Sequence, residues 1–169
     1  MDIEQLRARQ APLKRQYGED PTSARTSVSA SAAFADPGIT TTVHAWAGPV
    51  RAGLHRATGG DGTDACSAEM LLEALCGCIG VTLRSVSTAM RLGVRSASIT
   101  AHGTFDARGT LGLNREVPVG VTSIEVVATL DTDATDEQLV RLGELTERYC
   151  VVAHTLTPRP RLHVVRDNR

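Results

Sequence analysis

The sequence predicts an α+β domain, and three observations carry that prediction. Short β-type segments come in blocks of three and two instead of alternating with helices. One stretch, from about Ala68 to Met90, is apolar on nearly every helical face. A second helical stretch follows the second strand block, and a short strand closes the chain. The resulting order, βββ–α–ββ–α–β, argues against a parallel α/β sheet. At 169 residues the chain fits one domain with a real core, and 41% apolar content is ordinary for a folded protein. A formal charge of −1 removes any global electrostatic argument for nucleic acid or an anionic membrane as partner.

The N-terminal "MDIEQLRARQAPLKRQYGEDP" lacks the apolar stretch of a secretory signal, so a soluble, cytoplasmic protein is expected. Ile3, Leu6, Ala8, Leu13 and Tyr17 make residues 2–17 a weak amphipathic helix that "GEDPTS" breaks. Residues 1–22 read as a helical extension and 23–169 as a single domain. From Ser27, "SVSASAAF", "ITTTVHAW" and "VRAGLH" are short, rich in Val, Thr and Ser, and punctuated by "ADPG" and "AGP". They predict a three-stranded meander over residues 25–55. "RATGGDGTDACSAE" is glycine-rich, but Gly59, Gly60 and Gly62 fit neither phosphate-binding spacing and read as a turn into a helix.

Ser67 is the expected N-cap of that helix, Glu69 suits its first turn, and Gly93 is expected to end it. A helix so uniformly apolar should be buried all round. The longest apolar run, Met70 to Leu83, is interrupted by Glu73 and is short for a bilayer span. "VRSASITAHGTF" and "GVTSIEVVATLDT" predict a long antiparallel pair around an irregular "DARGTLGLNREVPV". In "ATDEQLVRLGELTERYCVV", Leu139, Leu142, Leu145, Tyr149 and Val152 recur at helical spacing behind a cap at Asp133 or Thr135. Pro158 and Pro160 stop it, and "RLHVV" is the last strand.

Four cysteines without a secretory signal point to core, metal or redox roles. Cys76 and Cys78 in "LLEALCGCIG" are separated by about 200° of helical rotation, so they cannot pair or share one pocket. His102, His154 and His163 stand at no ligand spacing from them, so no metal is expected. Cys66 reads as a packing residue. Cys150 falls at the negative end of the second helix, a poor place for a thiolate. Cys78 sits mid-helix, and Arg84 projects from a different face. The residues alone therefore favour inert core cysteines unless another segment brings Cys78 a donor or a cation.

"GGDGTDACSAEMLLEALCGCIGVTLRSV", followed downstream by "LTERYCVVAHTL", resembles the OsmC/Ohr superfamily of osmotically inducible and organic hydroperoxide resistance proteins. The resemblance covers about residues 55–165. It implies antiparallel sheets around a long buried central helix in an intertwined homodimer, whose second subunit would cover that helix. It places the family's reactive cysteine on Cys78 and the partner cysteine on Cys150. The implied chemistry is reduction of an organic hydroperoxide through a Cys78 sulfenic acid and a Cys78–Cys150 disulfide, reset by a lipoyl-type or other dithiol, without a cofactor.

The chain departs from the family pattern in four places. Ala68 stands where hydroperoxide enzymes carry a glutamate, with Glu69 one residue on as the supporting candidate. The activating arginine would fall near Ala35 and Asp36, leaving Arg25 and Arg51 as substitutes. Val151 replaces a proline, and His154 comes one residue late. Three functional readings follow: a peroxidase, a non-enzymatic small-molecule-binding or redox-sensing dimer, and a thiol hydrolase or transferase using Cys78 with His154.

Overall fold

The computed structural model describes residues 1–35 and 37–167. In chain order its elements are α1 (Ile3–Glu19), β1 (Ser31–Ala33), β2 (Thr40–Ala45), β3 (Gly48–Gly53), β4 (Ala65–Cys66) and α2 (Ser67–Ala89). β5 (Val94–Thr104), α3 (Ala107–Thr110), β6 (Thr122–Thr132), α4 (Asp136–Tyr149), α5 (Val151–Thr155) and β7 (Arg161–Arg166) follow. This is the α+β order read from the sequence, with a fourth short strand and two short helices added. The chain divides into two compact units. One holds Met1–Val28, Cys76–Thr100 and the chain from Val126 onward; the other holds Ser29–Leu75 and Ala101–Glu125.

The second of these units carries a four-stranded sheet, order β1-β2-β3-β4. β2 and β3 form the expected hairpin, with Ala45 opposite Gly48 and a two-residue loop, Trp46 and Ala47, between them. The first strand of the meander is shorter than expected, only three residues. β4 pairs parallel with β3, Gly53 opposite Cys66. Two residues carry no periodicity, so no sequence pattern announces that strand. The glycine-rich loop between β3 and β4 is tied down locally. Arg51 meets Asp64 at 3.0 Å, His55 Nδ1 accepts the Ala57 N–H at 3.0 Å, and Asp61 accepts the Thr63 N–H at 2.9 Å. A Cβ on Gly60 would lie 1.7 Å from the Leu54 carbonyl oxygen, so the glycine serves chain packing.

The other unit contains a hydrophobic core. Leu83, Val94, Ala128, Leu130, Ala134, Leu139 and Leu142 cluster there, each at most 8% exposed, with Ile99, Leu162 and Val164 packed against them. Alternate residues of β6 from Val126 to Thr132 are buried, as period-2 patterning requires. Thr132 pays no polar penalty, because its hydroxyl donates to the Gly93 carbonyl at 2.8 Å and accepts the Ala134 N–H at 3.2 Å. β6 lies between β5 and β7 in a three-stranded sheet. On α4, Thr135 rather than Asp133 is the cap, in a reciprocal box with Gln138; Asp133 instead pairs with Arg95 at 2.7 Å. The buried stripe of α4 is Leu139, Leu142, Gly143 and Thr146. Tyr149, expected on it, is 58% exposed.

Three expectations for α2 are corrected. Ser67 is its first helical residue instead of its cap. Its end is set by Arg91, not Gly93: Arg91 adopts φ 58° while its N–H reaches the Thr88 carbonyl at 3.1 Å. The Leu92 N–H reaches the Ser87 carbonyl at 2.9 Å, which completes a Schellman motif. Within one chain the helix is also not buried all round. Leu75, Ile79 and Leu83 are at most 2% exposed, but Val81 is 74% and Leu71 36% exposed. By length and composition alone α2 could cross a membrane, with mean hydropathy 1.4 over its apolar window. Its buried stripe is committed to protein packing. The weak amphipathic helix α1 has no buried residue and starts from an Asp2–Gln5 capping box.

Candidate active site at Cys78 and Cys150

Cys78 lies half-buried on α2, while Cys76 lies about 200° round the helix, as the spacing required. Cys150 has no exposed surface. It occupies a junction that the sequence did not reveal. Its N–H donates to the Thr146 carbonyl at 3.0 Å and ends α4; its own carbonyl accepts the His154 N–H at 3.1 Å and starts α5. Cys150 therefore caps one helix and opens the next, with extended backbone at φ −77° and ψ 108°. No glycine or proline marks this break, so "TERYCVVAH" reads as one continuous helix.

The junction supplies what Cys78 lacks on its own helix. Burial works to raise the Cys78 thiol pKa, but the Val152 N–H, the Cys150 thiol, the Val151 N–H and the Thr82 hydroxyl are directed at its sulfur. Together they bring Cys78 below the ordinary thiol range. Cys150 moves the other way. Burial raises its pKa, the Ala153 N–H offsets part of that, and the proton it directs at Cys78 and the charge there raise it further. One thiol of the pair is thus the readier nucleophile, and the other is held protonated beside it.

The remaining candidates sit elsewhere. Glu69 is exposed in the first turn of α2, nine residues before Cys78. Nine residues are about 13.5 Å of rise and half a rotation, so its carboxylate does not reach Cys78 along the same helix. Arg51 is engaged by Asp64, and Arg84 Nη1 donates to the Val94 carbonyl at 2.7 Å. Arg25 is exposed beyond the short 3-10 turn Pro21–Ala24. Asp36, beside the family's arginine position, lies outside the described residues; Ala35 is exposed. His154 is exposed on α5 and meets Cys150 only through its backbone. Cys66 is buried at the end of β4, lining a cavity of about 230 Å³ with His55 and Phe105. Among the described residues no three His, Cys, Asp or Glu side chains group to hold a metal ion.

Comparison with known proteins gives a family and a fold. A family model described as "OsmC-like protein" matches residues 60–165. No curated protein matches the sequence. Among solved structures, an OsmC-like protein from Mycoplasma pneumoniae is 12% identical with a TM-score of 0.68, covering 83% of this chain and 97% of that one. An organic hydroperoxide resistance protein from Elizabethkingia anophelis is 15% identical with a TM-score of 0.66, covering 86% and 99%. An organic hydroperoxide resistance protein OsmC from Legionella pneumophila is 14% identical with a TM-score of 0.61, covering 85% and 99%. At these identities the likeness is one of fold.

Proposed function

The chain belongs to the OsmC-like protein family, and on that footing we propose that it reduces organic hydroperoxides through Cys78 and Cys150. The observation that carries this reading is the pairing of a thiol lowered by neutral donors with a buried, protonated one directed at it. The Cys78 thiolate attacks the distal oxygen of R–O–O–H. The O–O bond breaks, an alcohol leaves with a proton, and Cys78 becomes a sulfenic acid. Cys150 then displaces the sulfenic hydroxyl as water and forms the disulfide. An external dithiol, lipoyl-type or similar, reduces that disulfide by exchange. The return step requires a reducing compartment, which fits the cytoplasm.

The working unit proposed is a homodimer. Leu71, Ala74, Cys78 and Val81 recur at three- and four-residue spacing along the exposed side of α2. An apolar stripe of this kind calls for a cover, and a second α2 would supply it while closing the Cys78 site to water.

Steady-state consumption of cumene hydroperoxide with dihydrolipoamide or dithiothreitol tests the chemistry. Multiple turnovers are expected for the native protein, none for Cys78→Ser, and a stop at the sulfenic acid for Cys150→Ser. Failure of the native protein to turn over removes the peroxidase reading. A redox-sensing, non-catalytic dimer is the second reading, and it draws on one observation: the strongest influences on Cys78 are all neutral groups. A single slow oxidation of Cys78 without a cycle supports that alternative.

A further inference from the structure

Thr146 lies on α4 one turn before Cys150, and both side chains are 0% exposed. Among the described residues, its hydroxyl is one of two buried side-chain polar atoms without a hydrogen-bond partner. Helical threonines ordinarily give their hydroxyl to the carbonyl four residues back. Thr88 does so to Arg84 at 2.8 Å, and Thr155 to Val151 at 3.0 Å. Thr146 does not. A buried hydroxyl left unpaired is unfavourable, so a persistent one calls for a reason.

Geometry supplies one. Cys150 has left the helix at ψ, but its N–H still bonds the Thr146 carbonyl at 3.0 Å and its φ of −77° is close to helical, so its Cβ keeps the helical position beside the turn that holds Thr146. Residues four apart bring their Cβ atoms to about 5–6 Å, and a single χ1 rotation swings a threonine hydroxyl through that gap. We propose that the Thr146 hydroxyl is the side-chain hydrogen-bond donor to the Cys150 thiolate in the disulfide-forming step, adding to the Ala153 and Val152 N–H groups, a role that rests on the peroxidase reading.

In the reduced protein Cys150 keeps its proton beside Cys78, because burial and the charge at Cys78 hold its pKa up. Once Cys78 is a sulfenic acid, Cys150 must shed that proton inside a dry interior and attack the Cys78 sulfur. The S–S bond forms and the S–O bond breaks. The departing hydroxide takes up the proton from Cys150 and leaves as water. The Cys150 sulfur is oxidised, and the Cys78 sulfur is reduced by the same amount. Thr146 enters this step free of any other partner, so its donation to the sulfur displaces no existing bond. The titratable and charged groups that act on Cys150 or flank it in the chain are Cys78 on α2, Glu147, Arg148 and Tyr149 on α4, and His154 on α5. All except Cys78 are exposed, so no buried cation competes with Thr146 for the role.

The test compares Thr146→Val, which keeps shape and loses the hydroxyl, with Thr146→Ser, which restores it. Reduced protein receives one equivalent of cumene hydroperoxide. Sulfenic acid at Cys78 is then trapped with dimedone, and disulfide is followed by quenched mass spectrometry. Thr146→Val should form the sulfenic acid at the native rate and the disulfide about tenfold more slowly, with Thr146→Ser close to native. Its melting temperature should hold or rise, since an orphan hydroxyl is gone; a purely structural role would lower both together. A second measurement needs no peroxide. With Cys66, Cys76 and Cys78 changed to serine, the thiolate absorbance of Cys150 is titrated. The Thr146→Val change should raise its midpoint by about one pH unit. Native disulfide rate and an unmoved titration in Thr146→Val overturn the assignment. If the native protein forms no sulfenic acid, the peroxidase reading falls, and the Cys150 titration alone decides the role of Thr146.

Discussion

The Cys78 thiol pKa is lowered without a charged group among its strongest influences. The groups that offset its burial are backbone N–H groups of Val151 and Val152, a thiol and a hydroxyl. The sign of the shift gives a pH dependence. The thiolate is the attacking form, so sulfenic acid formation should rise with pH through the folded-state pKa of Cys78 and level off above it. Stopped-flow oxidation should place that midpoint below the one the same thiol shows in the unfolded protein. A midpoint at or above it would contradict the arrangement. Val151→Pro removes one of the donors at the first residue of α5, where proline is tolerated. It should move the midpoint up and slow oxidation at neutral pH while leaving the melting temperature nearly unchanged. Two quoted motifs made both cysteines readable from the sequence. Three of the four donors were not readable, because they come from a helix break at Cys150 that no glycine or proline announces; the fourth, Thr82, stands one turn on along α2.

Among the elements, α4 was the most legible. The sequence allows its cap at Asp133 or Thr135, and the structure has Thr135 in a reciprocal box with Gln138. The end of α2 was misread because glycine is the usual left-handed terminator, and Gly93 stood nearby. The chain instead holds Arg91 at φ 58°, two residues earlier. A side chain in that region carries a steric cost that glycine escapes, partly offset by glycine's larger unfolded-state entropy. Arg91→Gly should therefore stabilise by about 0.5 kcal/mol, with a rise in melting temperature of roughly 1–2 °C by calorimetry. A fall would mean that the Arg91 side chain contributes more than its backbone strain costs. β4 and α5 escaped the sequence for a shared reason: two and five residues are too few for either period to register.

For the whole molecule, the decisive feature is the exposed side of α2. Val81 is 74% exposed in one chain. Val81→Asp should therefore cost little in a monomer but place a carboxylate in the interface of the proposed dimer. Light scattering behind size exclusion should show a dimer for the native protein and a folded 17.9 kDa monomer for the variant. A native monomer at the same concentration would remove the second copy from the proposal. The sequence by itself determined the α+β order, the presence of α2 and α4, and the family to which the chain belongs. Each of these is written in patterns a dozen or more residues long, or in two motifs that stand far apart. Only the tertiary structure decided which groups lower the Cys78 thiol pKa, that Cys150 is buried at a helix junction, and that α2 keeps an apolar side uncovered. Those features depend on where separate segments meet. A backbone N–H from Val152 and an orphaned hydroxyl on Thr146 have no signature until the chain has folded around them.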